Sequence, residues 1–157
     1  MLNMQIAIIY LIRQEREMKK ILLITLGLTT LLLADFTRDD ISSVVTDSIT
    51  GLQWQDDTTP ATMTWAAAIT YCEDLELPTG VTDWRLPNIN ELTSIVDDTK
   101  ANPSIDGNFT NTVSGYYWTS TTSADDANNA WRVRFNKGNH EFDAKTNSWN
   151  VRCVRGE

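Results

Sequence analysis

The stretch DWRLPNINEL, residues 83–92, holds the joint into a helix and the first turn of that helix. Pro87 has no backbone N–H and a fixed φ, so it suits the position before a helix rather than its interior. Asn88 followed three residues later by Glu91 is the spacing of a capping box, in which each side chain satisfies a backbone N–H of the other's residue. Leu92, Ile95 and Val96 then supply the apolar side. Trp84 and Leu86 can bury, which leaves Arg85 to pair with a carboxylate or backbone carbonyls. Trp84, Arg85, Pro87, Asn88 and Glu91 therefore read as framework, with a ligand-binding Arg85 as the alternative.

Upstream, another helix is expected from Trp65. Thr64 can cap it, and Trp65, Ala68, Ile69, Cys72 and Leu75 recur at helical spacing until Pro78 and Gly80 stop it. Before it, SVVTDSITGLQWQ (43–55) reads as strand, turn, strand, and DDTTPAT (56–62) as loop. Residues 35–42, DFTRDDIS, are polar and read as a flexible leader. Downstream, DDTKANPSIDGN (97–108) is a long loop. The remainder alternates as strands: YYWTST (116–121), AWRVRFN (130–136), HEFDA after a KGN turn, and SWNVRCVRG (148–156). That alternation places Trp131, Val133 and Phe135 on one face and Arg132 and Arg134 on the other. Trp149, Val151 and Cys153 share a face.

The N-terminus bears on compartment. From Met18, MKKILLITLGLTTLLLAD sets two lysines before 13 uncharged residues, Ile21 to Leu33, and a small residue, Ala34. This is the layout of a signal peptide at residues 18–34, and the run is shorter than the roughly 20 residues of a membrane-spanning helix. An uncleaved anchor is the alternative. Residues 1–17 fit an upstream extension ahead of a true start at Met18. A secreted or periplasmic, cell-envelope location follows, with no membrane span after cleavage. In such a compartment the two cysteines, Cys72 and Cys153, are expected to pair, two buried free thiols being the alternative.

Charge and histidine count narrow the function classes. From Asp35 onward there are 9 Lys+Arg against 19 Asp+Glu, a net of −10, which repels nucleic acid and anionic lipid. With one histidine, His140, no nucleophile–base pair and no four-ligand transition-metal site can be assembled, so neither catalytic nor metal residues are expected. No cofactor is expected. Loop calcium at Asp56-Asp57, Asp97-Asp98 or Asp125-Asp126 is possible but not favoured, because none has the alternating spacing of a calcium loop. Trp54, Trp65, Trp84, Trp131 and Trp149 are expected to pack in the core, and Trp118 is ambiguous. Candidate ligand contacts are the short polar side chains of two loops, 121–129 and 136–140. They are Asp125, Asp126, Asn128, Asn129, Lys137, Asn139 and His140.

Taken in order, TGLQWQDD, TWAAAITYCEDL, DWRLPNINEL, YYWTST, AWRVRF and VRCVRG resemble the Lcl C-terminal-type domain of bacterial collagen-like adhesins, from about Val44 to Arg155. The resemblance implies an α+β, C-type-lectin-like fold at residues 43–157: two helices packed on a small antiparallel sheet with long irregular loops. It also implies a bridge from the first helix to the last strand, which Cys72 and Cys153 match. The function it implies is non-enzymatic recognition of an extracellular or envelope glycan or protein. Polyanionic glycan, a ligand known in that group, is disfavoured by the acidic balance. Two alternatives stand beside it: a structural or interaction module of a cell-envelope assembly, and a formylglycine-generating-type enzyme, which would need free thiols.

Overall fold

The computed structural model describes residues 13–15, 36–78 and 80–156. The chain divides into two compact units, residues 1–33 and 34–157. In the first, residues 13–15 are helical. The expected signal at 18–34 and nearly all of the expected extension at 1–17 lie outside the described residues. Among the described residues, no helix is long and apolar enough to cross a membrane.

The second unit is mixed α and β, and it contains two sheets where one was expected. Strands β1 (Phe36–Asp39), β2 (Val44–Asp47), β3 (Gln53–Gln55) and β9 (Val154–Arg155) form an antiparallel sheet in the order β1-β2-β3-β9. Strands β4 (Thr62–Thr64), β5 (Tyr116–Thr122), β6 (Asn129–Arg134), β7 (Asn139–Ala144) and β8 (Ser148–Asn150) form the other, in the order β4-β8-β5-β6-β7. Its one parallel contact sets Tyr117 of β5 beside Asn150 of β8. The split has a local cause: SWNVRCVRG is not one strand. It leaves the second sheet after Asn150 and joins the first at Val154.

A second correction concerns residues 35–42. Phe36–Asp39 is not a flexible leader but strand β1, paired in register with β2 from Phe36↔Asp47 to Asp39↔Val44. Phe36 is buried and packs edge-on against Phe109, with ring centroids 5.4 Å apart, while Arg38 pairs with the Asp56 carboxylate. One aromatic ring and one ion pair hold a segment whose composition is otherwise polar.

Two helices complete the unit. Helix α1 (Trp65–Glu73) buries Ala68 and Cys72; Thr64 is its N-cap residue but makes no side-chain cap hydrogen bond. Helix α2 (Ile89–Ser94) starts at the Asn88–Glu91 capping box. Glu91 N–H donates to Asn88 Oδ1 at 2.9 Å, and Asn88 N–H donates to Glu91 Oε2 at 2.8 Å. Arg85 grips the same carboxylate bidentately, at 2.8 and 2.7 Å, while its backbone exchanges two hydrogen bonds with Val154. The joint is thereby fastened to β9. Ile89 N–H donates to Thr121 Oγ1 at 3.0 Å, and Ser120 N–H to Pro87 O at 2.7 Å, which seats α2 on β5.

The central sheet separates two apolar clusters, because successive side chains of a strand point to opposite faces. Tyr117, Val133 and Phe135 join Phe36, Trp54, Leu92 and Ile95 in one. Trp118 and Ala130 join Ala68, Trp84, Val151 and the cysteines in the other. The disulfide Cys72–Cys153 ties α1 to the segment between β8 and β9, closing a sequence separation of 81 residues.

Candidate functional site

The seven polar residues expected to contact ligand fall into two groups. Asp125, Asp126 and Asn128 sit exposed in the β5–β6 turn, and Asn129 opens β6; Lys137 lies in the β6–β7 turn, and Asn139 and His140 open β7. These turns are at opposite ends of one hairpin. Asn129 pairs with Ala144 at one end and Arg134 with Asn139 at the other, a separation of about 17 Å at the usual strand rise. The structure does not bring the two loops together around a small ligand.

The β5–β6 turn also spends its polar groups on itself. Asp126 Oδ1 accepts from the Asn128 N–H at 2.9 Å and from Asn128 Nδ2 at 3.0 Å, and Asp126 Oδ2 from Asn129 Nδ2 at 3.3 Å. Asx geometry of this kind shapes a turn.

The other end differs. Gly138 takes the left-handed conformation, with φ of 72°, and lies so close to the 96–98 segment that a Cβ would come within 2.9 Å of Val96 Cγ1. This fixes the start of β7 beside α2. In between, Ile89, Asn90, Thr93 and Ser94 of α2 and Trp131 and His140 of the sheet line an open groove of about 520 Å³. That volume is in the range of small-ligand sites. Trp131 is half-buried and belongs to neither apolar cluster, which corrects its expected place in the core. Its ring meets His140 and Phe142 edge-on, each with centroids 5.6 Å apart, and Phe142 is 48% exposed. Both partners come from β7, the last strand of its sheet.

Most of the groove's polar side chains have no partner among the described residues. Among the described residues, the Asn90 amide, Thr93 hydroxyl, Trp131 indole N–H and His140 imidazole make no hydrogen bond, while Ser94 Oγ donates to Glu91 O at 2.8 Å. Sequence reasoning reached His140 and missed the rest. Asn90, Thr93 and Ser94 lie on the exposed side of the helix whose buried side was legible in the sequence.

Two further charged sites were missed. Asp56, placed in a loop and weighed for calcium, is buried, as is Arg152. The Asp56 carboxylate accepts from Arg38 Nη1, from Arg152 Nη2 at 2.9 Å, and from the backbone N–H groups of Thr110 and Asn111 at 2.8 and 3.2 Å. Burial pushes the Arg152 guanidinium below its ordinary pKa. On the sheet face away from the groove, Arg132 lies 3.8 Å from the Tyr116 ring centroid and 4.2 Å from that of Trp149, and pairs with Glu141 and Asp143. Each cation here is neutralised by neighbouring carboxylates.

The family model of the Lcl C-terminal domain matches residues 43–155. The chain belongs to the Lcl C-terminal domain family. No curated protein matches it. Within this Lcl C-terminal domain the match takes in the whole groove, both cysteines and the Arg85–Glu91 joint, whereas β1 precedes it. Phe36 and Arg38 are therefore additions to the matched span, fastened to it through Phe109 and Asp56.

Proposed function

We propose that this Lcl C-terminal domain is a non-enzymatic binding domain, secreted or held in the periplasm or cell envelope, that recognises a glycan or protein ligand. The C-type-lectin-like group is the fold it suits, given two helices and a bridge from α1 to the segment before the last strand. The contact surface extends from the 136–140 loop into the groove between α2 and β7. One observation carries this reading: three side chains able to hydrogen-bond, Asn90, Thr93 and His140, converge there without a partner among the described residues, beside the half-buried Trp131 indole. Exposed aromatic and amide groups unused by the fold are the usual material of a recognition surface. Both cysteines lie in the disulfide, which leaves no thiol for formylglycine-type chemistry. The β5–β6 turn, self-bonded, serves the framework.

The test sets the two ends of the hairpin against each other. Trp131→Ala is expected to weaken binding to envelope glycan or protein fractions about tenfold or more, as loss of an aromatic anchor does. Asp126→Ala is expected to leave binding intact. The reverse pattern would move the site to the β5–β6 turn.

A further inference from the structure

The ligand chemistry of the groove can be taken a step further, on the footing that the groove is the binding site. None of its six lining residues is a lysine, arginine, aspartate or glutamate. The charges flanking the groove on α2 and on the far face of the sheet are engaged, Glu91 by Arg85 and the capping box and Glu141 by Arg132, while Lys137 lies outside the lining, in the adjoining turn. The domain as a whole is acidic, so no distant field compensates for a missing local cation. A sulfated or carboxylated ligand would find no lysine, arginine or other fixed cation among the residues that line the groove, and desolvating an unpaired charge there is costly.

What the groove does offer is complementary to an uncharged polyol. The half-exposed Trp131 indole, flanked by Phe142, presents apolar ring surface of the kind that C–H faces of a sugar ring cover. The Asn90 amide donates and accepts, the Thr93 hydroxyl does both, and the His140 imidazole and Trp131 N–H add further groups around the same space. Vicinal hydroxyls need paired donors and acceptors of this sort. An extended peptide added along β7 is the competing occupant, but it would use backbone groups of the strand edge and leave the α2 amide and hydroxyl unexplained.

We infer that the groove between α2 and β7 binds a neutral saccharide, stacked on Trp131 and hydrogen-bonded by Asn90, Thr93 and His140. No metal ion takes part in the contact.

The experiment uses the exported domain as it exists. Three probe sets are titrated by calorimetry: neutral hexose and N-acetylhexosamine oligomers, sulfated oligosaccharides of matched length, and a basic extended peptide. The inference expects saturable binding of at least one neutral oligomer, unchanged by a chelator. That binding should vary by less than about twofold between low and high salt, since no ion pair forms. Trp131→Ala should weaken it about tenfold or more, and Thr93→Val, which keeps side-chain shape and removes the hydroxyl, by about threefold to tenfold. Thermal melts of both variants check that the fold is intact, and Thr93→Val gives a readout even where Trp131→Ala does not fold. Binding of the sulfated or peptide probe alone, lost in Trp131→Ala, overturns the neutral-sugar inference and leaves the groove as the site. Binding indifferent to both substitutions overturns the groove itself. Absence of binding by every neutral oligomer overturns the inference as well.

Discussion

The Asp56 cluster and the α2–β7 groove are built from similar polar groups and use them in opposite ways. At Asp56, two guanidinium groups and two backbone N–H groups converge on one buried carboxylate, with little capacity left over. In the groove, an amide, a hydroxyl, an imidazole and an indole N–H face solvent with no partner among the described residues. Buried polar groups are mostly satisfied by the fold, Arg152 Nη1 being an exception, whereas an exposed one is satisfied by water until something better arrives. Polarity alone therefore says little about function; the partner already held says more. The β5–β6 turn stands between the two cases, exposed yet self-satisfied.

The contrast breaks most visibly at Asp56. Asp56→Ala leaves Arg152 buried without its countercharge and is expected to cost about 3–5 kcal/mol of stability in urea unfolding. A loss below about 1 kcal/mol would mean that the cluster is not framework and that its charge is free for other work. At the turn, Asp126→Ala is expected to move the melting midpoint by about 4 °C or less. A larger fall would show the turn to be a folding determinant rather than a surface detail.

The smallest effect expected is one of pH, at Glu91. Burial raises the pKa of this carboxyl, but the Arg85 hydrogen bonds, the Asn88 N–H and the Arg85 charge outweigh it, and the net shift is downward. A depressed folded-state pKa stabilises the fold in full above the unfolded value, near 4.5, and loses that contribution as pH falls through the folded value. Melts recorded from neutral pH into the acid range should show a shallower acid limb for Glu91→Gln than for the parent. Superimposable limbs would remove Glu91 from the acid-sensitive groups.

How legible each element was depends on how far apart its partners lie in the chain. The capping box needs residues three apart, so Asn88 and Glu91 announce it. The β2–β3 and β6–β7 hairpins are also local and follow from alternation around Thr50-Gly51 and Lys137-Gly138-Asn139. Two cysteines and an expected export signal already pointed to the bridge, which forms between Cys72 and Cys153, and the resemblance supplied the family, which the match over 43–155 shows. Strand β1 escaped although its pairing with β2 is local, because its composition is polar and the contacts that hold it, Phe36 on Phe109 and Arg38 on Asp56, lie beyond the neighbouring strand. Asp56 escaped for the same reason, its arginine lying 96 residues downstream. Trp131 shows a different limit. Alternation assigns it correctly to the face of Val133 and Phe135, but does not say how far along that face the core's cover extends. Leu92 and Ile95 join those two residues in the core, and Trp131 is left outside it.

Three consecutive residues carry fastenings of three different kinds. Arg152 completes the Asp56 cluster, Cys153 the bridge to α1, and Val154 the pairing with both Trp54 and Arg85. A chain cut after Asn150 would lose strand β9, the partner of Cys72 and one of the two guanidinium groups on Asp56 together. An ion pair, a covalent bond and a strand pairing are thus made within residues 152–154, and one short truncation removes all three.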